Sequence, residues 1–160
     1  MTMKKYVLIL IALIGMATEC RAQVAKVYDE SIDPMTQIDE AVAQARQTDK
    51  NVVCQVGGNW CPWCLRFADF IQKDAEIAQV IADNFVYIHV NYTPQEAPAA
   101  LTARLGNPGR FGYPVLVVLN ADGLVIHTQD SSFLEEGKGY NAEKVLRFFK
   151  CWTPAAVAGK

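Results

Sequence analysis

Asn51-Val52-Val53-Cys54-Gln55-Val56-Gly57-Gly58-Asn59-Trp60-Cys61-Pro62-Trp63-Cys64 is the stretch on which the fold turns. Its first half, Val52 to Val56, is a short run rich in β-branched residues, the pattern of a buried central strand. Gly57-Gly58-Asn59 breaks that run. From Cys61 a helix continues through Leu65, Phe67, Ala68 and Ile71, and Pro62 fits its first turn, where its missing N–H would be unpaired anyway. Two thiols three positions apart at a strand-to-helix junction can close a small disulfide ring and open it again. The first sits at the helix N-terminus, where unpaired N–H groups and the helix dipole favour the thiolate. A thiolate attacks disulfides, so Cys61 and Cys64 read as a redox centre. The same pair also fits a structural disulfide or half of a metal site.

The flanking sequence predicts alternating elements. Asp33-Pro34 reads as N-cap and first helical residue, and Met35, Ile38, Ala41, Val42 and Ala45 recur at helical spacing to about Thr48. Asp49-Lys50-Asn51 is the turn out. Lys73-Asp74 marks a break, after which Glu76 to Asp83 is helical again. Phe85 to Asn91 alternates as a strand, with Phe85, Tyr87, His89 and Asn91 on one face. Pro94 to Leu105 is helical in its second half, and Gly106 to Gly109 is a loop. Val115 to Leu119 and Leu124 to Thr128 form a hairpin across Asn120-Ala121-Asp122-Gly123. Ser131 to Tyr140 reads as an irregular loop. Asn141 caps a last helix carrying Val145, Leu146, Phe148 and Phe149. The expected class is α/β, with one mixed sheet and helices on both faces.

The 160 residues fit one domain, about half hydrophobic and one fifth charged. A formal net charge of −2 gives no reason to expect a nucleic-acid partner. Residues 1–22 read as a signal peptide: Lys4-Lys5 form a basic start, Tyr6 to Ala17 is apolar but short for a bilayer span, and Cys20-Arg21-Ala22 places small residues before a cut at Gln23. An uncleaved anchor, or a lipoprotein attached through Cys20, is the alternative, although Glu19 stands where a lipoprotein would want a small residue. Removing residues 1–22 takes away Lys4, Lys5, Arg21, Glu19 and Cys20, leaving 138 residues, four cysteines and a formal charge of −4. Residues 23–34 are then a leader in which Val24 and Val27 suggest a stub of strand, 35–152 the folded domain, and 153–160 a tail. Export, to the periplasm, would put the dithiol in an oxidising background.

Gly112-Tyr113-Pro114 lies directly before the strand Val115 to Leu119. A proline there lacks a ladder donor and needs a special position. Most X–Pro bonds are trans, so alone it reads as an ordinary strand start. A cis bond would instead turn Tyr113 outward, its N–H and C=O free to pair with an extended substrate beside the cysteines.

Trp60-Cys61-Pro62-Trp63-Cys64 after a hydrophobic strand, followed some 50 residues on by Gly112-Tyr113-Pro114 and a hairpin, resembles the thioredoxin superfamily, and within it the exported thioredoxin-like proteins of bacteria. The resemblance spans about Met35 to Cys151. It implies a thioredoxin-like fold, an active-site disulfide at a helix N-terminus and a cis-proline loop facing it. Cys61 would be the attacking thiol and Cys64 the resolving one. Trp60, Trp63, Tyr113 and Pro114 would meet substrate, although Trp63 could equally only shield the disulfide and Trp60 only close the core edge. The implied activity is thiol–disulfide exchange in the cell envelope, as a reductase or isomerase. Disulfide-containing or dithiol proteins would be the clients. A further redox partner would reset the site, and no cofactor is called for.

The sequence also departs from that pattern. The buried acid usual six residues before the first cysteine is Gln55, and the accompanying lysine falls at His89. Gln55 cannot accept a proton as a carboxylate would; His89 or a water would have to, unless His89 is simply a hydrogen-bonded sheet residue. The dipeptide inside the motif is Pro-Trp in place of Gly-Pro. Cys54 reads as a buried inert thiol, and Cys151 as free or paired with Cys54. Two other functions remain. One is a soft-metal module holding Cu(I) or Zn through Cys61 and Cys64, with His89 and His127 the only histidines and neither in a paired motif. The other is a client-binding domain whose disulfide only stiffens it. Leu65 after Cys64 argues against haem attachment, and no serine-nucleophile motif, phosphate loop or His-x-x-x-His pair is present.

Overall fold

A computed structural model describes residues 26–160. The proposed signal segment and Val24 lie outside them. In chain order the elements are α1 (Pro34–Thr48), β1 (Asn51–Gly57), α2 (Pro62–Lys73), α3 (Ala75–Asn84), β2 (Phe85–Asn91) and α4 (Ala99–Arg104). There follow β3 (Val115–Leu119), β4 (Val125–Asp130), the two-residue strands β5 (Glu135–Glu136) and β6 (Gly139–Tyr140), α5 (Ala142–Cys151) and α6 (Pro154–Val157).

The main sheet has the order β2-β1-β3-β4. Strand β1 runs parallel to β2 and antiparallel to β3, and β3 runs antiparallel to β4. This is the expected mixed sheet with helices on both faces, a thioredoxin-like fold. Strand β1 is central and buried along its whole length, which is why Val52 to Val56 reads as an apolar run interrupted only by Gln55. Its alternation divides the core. Val52, Cys54 and Val56 face α1 and, at α4, Leu101 and Leu105. Val53 faces the other side, with Phe67 and Ile71 of α2, Ile77 of α3 and Val145, Phe148 and Phe149 of α5. Each such buried Val, Ile, Leu or Phe stabilises the fold by about 1.5–3 kcal/mol.

The helix ends follow the local chemistry. Asp33 Oδ2 accepts from the Thr36 N–H at 2.9 Å and fixes the start of α1, a cap worth about 1 kcal/mol. Asp74 ends α2 and caps α3, its Oδ1 accepting from Glu76 and Ile77 at 3.1 Å each. Asn141 Oδ1 accepts from Lys144 N–H at 2.9 Å to open α5. In the hairpin, Asn120 Oδ1 accepts from the N–H groups of Asp122 and Leu124, and Gly123 takes the positive φ (81°) that the turn requires.

Three local expectations change. Residues 26–31 form no strand. Instead, Asn59 Oδ1 accepts from the N–H groups of Val27 and Tyr28, using donors that a ladder would have needed. The Ser131–Tyr140 stretch is ordered as a 3₁₀ turn (Ser131–Leu134) and the small β5–β6 hairpin, because Leu134 and Tyr140 bury into the α2–α5 core. Strand β4 runs on to Asp130, past an irregularity in pairing at Val118 and Leu119.

Candidate active site

The end of β1 and the start of α2 place the two cysteines. Cys61 is the N-cap of α2 in an extended conformation, and its sulfur occupies the position where a serine or aspartate oxygen usually caps. The Cys64 N–H points at that sulfur at 3.2 Å. Pro62 is the first helical residue, and Cys61 and Cys64 are joined as a disulfide with Cα atoms 5.3 Å apart. The helix N-terminus is thus already aimed at Cys61 Sγ, and a negative charge released there by reduction meets N–H donors and the positive end of the dipole.

Two glycines make this turn possible. A Cβ on Gly57 would strike Cys64 Sγ, and one on Gly58 would strike the Trp60 indole nitrogen. The chain therefore passes directly against the disulfide with backbone alone. The Gly57 carbonyl is held by the Tyr92 N–H at 2.7 Å, which ties the end of β1 to the residue after β2.

The Tyr113–Pro114 peptide is cis, and Pro114 is buried. The Tyr113 carbonyl oxygen lies 3.7 Å from Cys61 Sγ, so residues more than 50 positions apart share one surface. Trp60 is half-exposed and meets the Tyr113 ring edge-on at 5.2 Å between centroids. Trp63 is partly buried, with its ring edge-on to Tyr140 at 5.5 Å and the Arg66 guanidinium 4.5 Å over its face. The Tyr140 hydroxyl donates to the Trp63 carbonyl at 3.2 Å. All six residues singled out in the sequence, Trp60, Cys61, Trp63, Cys64, Tyr113 and Pro114, converge here.

Beneath the disulfide lies a polar knot. Gln55 is fully buried. Its Nε2 donates to the Cys64 carbonyl at 3.0 Å and to the Tyr28 hydroxyl at 2.6 Å, and its Oε1 accepts from the Tyr87 hydroxyl at 2.7 Å. A neutral amide with each polar atom satisfied costs little to bury, whereas a carboxylate in the same place would be desolvated. Burial raises the phenols of Tyr28 and Tyr87 well above the ordinary tyrosine range, so both stay protonated.

His89 pairs with Gln55 across the β1–β2 ladder but does not reach into this knot. Its ring packs edge-on between Tyr28 and Tyr87, each at 5.4 Å, and its buried Nε2 has no hydrogen-bond partner. Burial lowers its pKa to about 4, so it is neutral at physiological pH and a weak base. Cys54 and Cys151 are not paired: the first is buried and the second exposed.

Sequence reasoning missed Tyr28, Tyr87, Tyr140 and Asn59. Tyr87 had a signal, since it shares the β2 face of His89, opposite Gln55. Tyr28 had none beyond being a single aromatic in a polar leader.

The comparisons with known proteins agree with this geometry. A profile described as thioredoxin-like matches residues 33–121, more than half of the chain. No curated protein matches the chain. A crystal structure titled as a disulphide isomerase from Xylella fastidiosa Temecula1 is similar at 28% identity with a TM-score of 0.66, covering 77% of this chain and 93% of that one. A structure titled as the DsbH oxidoreductase shares the fold at 21% identity and a TM-score of 0.51, covering 70% of this chain and 78% of that one. The chain belongs to the thioredoxin-like family, and its Cys61–Cys64 pair makes it a thiol–disulfide oxidoreductase.

Proposed function

We propose that this oxidoreductase is exported and acts in the cell envelope as a reductase or isomerase of client-protein disulfides. The observation that carries the reading is the approach of Cys61 Sγ to the Tyr113 carbonyl at 3.7 Å. A client strand paired with the Tyr113 backbone would bring its own disulfide onto Cys61.

In the reduced enzyme the Cys61 thiolate attacks one sulfur of the client disulfide. A Cys61–client bond forms, the client S–S bond breaks, and the departing sulfur leaves with the electron pair and takes a proton from water. Cys64 then attacks Cys61 Sγ, closing the Cys61–Cys64 disulfide and releasing the second client thiol. The client is reduced by two electrons and the enzyme oxidised by two. A partner dithiol must restore the pair. If a different cysteine thiolate of the client attacks the mixed disulfide instead, a new client S–S bond forms, Cys61 leaves as the thiolate, and the net result is isomerisation. Trp60 and Tyr113 present an aromatic wall to the client, and Trp63 flanks the helix start.

The isomerase or reductase assignment draws support from the likeness to the Xylella structure, which is titled as an isomerase. Export draws its support from the basic and apolar segment at residues 4–17. Among the described residues no helix is long and apolar enough to cross a membrane.

Insulin reduction with dithiothreitol as the electron source tests the reading. The wild-type chain accelerates precipitation of the insulin B chain, and Cys61→Ser abolishes the acceleration; equal rates for the two would end the assignment. An equilibrium potential near that of thioredoxin, about −270 mV, marks a reductant, and one near about −120 mV an oxidant. Recovery of scrambled ribonuclease activity separates isomerase from simple reductase.

A further inference from the structure

We propose that Tyr28 is the positioning residue for Cys64: its hydroxyl donates a hydrogen bond to the Cys64 thiolate when the disulfide opens. The inference rests on the oxidoreductase reading above and extends it to a residue outside the matched segment 33–121.

The geometry has three parts. Tyr28 is buried and packs in one cluster with Cys61 and Cys64. A Cβ on Gly57 would meet Cys64 Sγ and lie 3.1 Å from the Tyr28 hydroxyl, so oxygen and sulfur flank the same small space, left open by the glycine. Gln55 Nε2 donates to the Tyr28 oxygen at 2.6 Å, so the phenol accepts on that side and its own proton points elsewhere. Among the described residues no protein nitrogen or oxygen receives that proton. The Cys64 sulfur is the remaining partner at hand.

The chain of donors is ordered. The Tyr87 hydroxyl donates to Gln55 Oε1, Gln55 Nε2 donates to Tyr28, and the Tyr28 hydroxyl borders the same space beside Gly57 as Cys64 Sγ. Each bond polarises the next in the same direction, towards a negative charge on sulfur. The backbone of Tyr28 is itself held by Asn59, which accepts from its N–H at 3.0 Å and donates to its carbonyl at 2.8 Å.

The chemical need is specific. Cys64 must be a thiolate to attack the Cys61–client disulfide, yet it is fully buried and burial disfavours the charged form. Gln55 cannot take its proton, and neutral His89 faces the tyrosine rings. Tyr28 remains protonated, so it is a donor and never a base. The Cys64 proton leaves to water and, on balance, ends on the departing client sulfur. Tyr28 holds the thiolate formed in between and keeps its own proton throughout.

The test blocks Cys61 in the reduced protein with iodoacetamide and follows the Cys64 thiolate by its ultraviolet absorbance as pH is raised. Tyr28→Phe keeps the ring and removes only the hydroxyl. Its Cys64 titration is expected to move up by about one pH unit, a tenfold loss of thiolate at any pH below both midpoints. A loss of packing alone would admit water to the buried sulfur and move the profile down, not up. Superimposable profiles for wild type and Tyr28→Phe would overturn the inference.

A measurement on the wild-type protein stands beside this one in case the variant fails to fold. The reduced-minus-oxidised infrared spectrum at alkaline pH should contain a tyrosine C–O band shifted by the new hydrogen bond; a spectrum without tyrosine bands counts against it. Neither measurement uses a client. Insulin turnover with unshifted profiles defeats Tyr28 alone, and absent turnover defeats the oxidoreductase reading whatever the profiles show.

Discussion

Asn59 clasps the backbone of Tyr28 from both sides: its Oδ1 accepts the Tyr28 N–H at 3.0 Å and its Nδ2 donates to the Tyr28 carbonyl at 2.8 Å. Oδ1 also accepts from Val27 N–H, and Nδ2 donates to Glu30. One side chain in the loop before the active site thereby replaces the ladder that the leader lacks. Asn59→Ala should cost about 2 kcal/mol, as several partly buried hydrogen bonds are lost together. The melting temperature should fall by about 5 °C. Thermal unfolding followed by circular dichroism checks this, and an unchanged midpoint would mean that the leader is held by side-chain packing alone.

Gly57 touches the disulfide because it has no side chain. Gly57→Ala forces a methyl group against Cys64 Sγ, and the neighbouring helix turn cannot retreat because Cys64 is fully buried. Overpacking of this kind costs about 2 kcal/mol. Urea unfolding of the oxidised variant should show the loss. A wild-type midpoint would show that Cys64 and Tyr28 yield freely.

His89 makes stability depend on pH. The unfolded imidazole takes up a proton near pH 6.5, while burial holds the folded one to about 4. Between these values the unfolded chain binds more protons, so stability is highest above the window and falls as pH drops through it. The loss is of order 3 kcal/mol by the bottom of the window. His89→Phe keeps a ring between Tyr28 and Tyr87 and should flatten the profile. Hydrogen bonds from Thr36 and Ser31 hold the carboxyls of Asp33 and Asp29 below their ordinary range, so their own contributions fade only at lower pH. Denaturation midpoints measured across the window decide it; parallel curves for the two proteins would rule His89 out as the source.

Among the described residues the two cysteines outside the motif, Cys54 and Cys151, should differ sharply in reactivity. Burial pushes the Cys54 thiol up to about 12, and no part of its residue is exposed. Cys151 is exposed at the end of α5. Brief alkylation of the native protein followed by mass mapping should label Cys151 and leave Cys54 untouched until urea is added. Early labelling of Cys54 would reveal an opening of the sheet.

Much of this was legible in the sequence because it rests on local chemistry. The β-branched run, the glycine break and the proline after Cys61 each carry their own conformational preference, and together they fix the strand-to-helix turn. Asp33 and Asn141 announce helix starts through capping, while Lys73-Asp74 announced only a break. Pro114 beside Cys61 was legible only through resemblance, since spacing alone favoured an ordinary trans bond. The underside of the site was not legible. Tyr28, Gln55 and Tyr87 come from three separate segments, and nothing in their spacing records that their polar atoms meet. The replacement of an acid by Gln55 was visible as a departure, but its partners depend on tertiary packing. The Ser131–Tyr140 stretch misled for the opposite reason, as its polar turn residues concealed two buried anchors, Leu134 and Tyr140.

The recognisable family segment begins at residue 33, five positions after Tyr28. A chain cut to start there would retain all four strands of the main sheet and the whole Cys-Pro-Trp-Cys loop. It would also carry a tyrosine-sized hole beneath the cysteine ring, through which solvent could reach Gln55 and the inner sulfur. What lies upstream of a domain's apparent edge therefore sets how dry its electron-carrying pair remains.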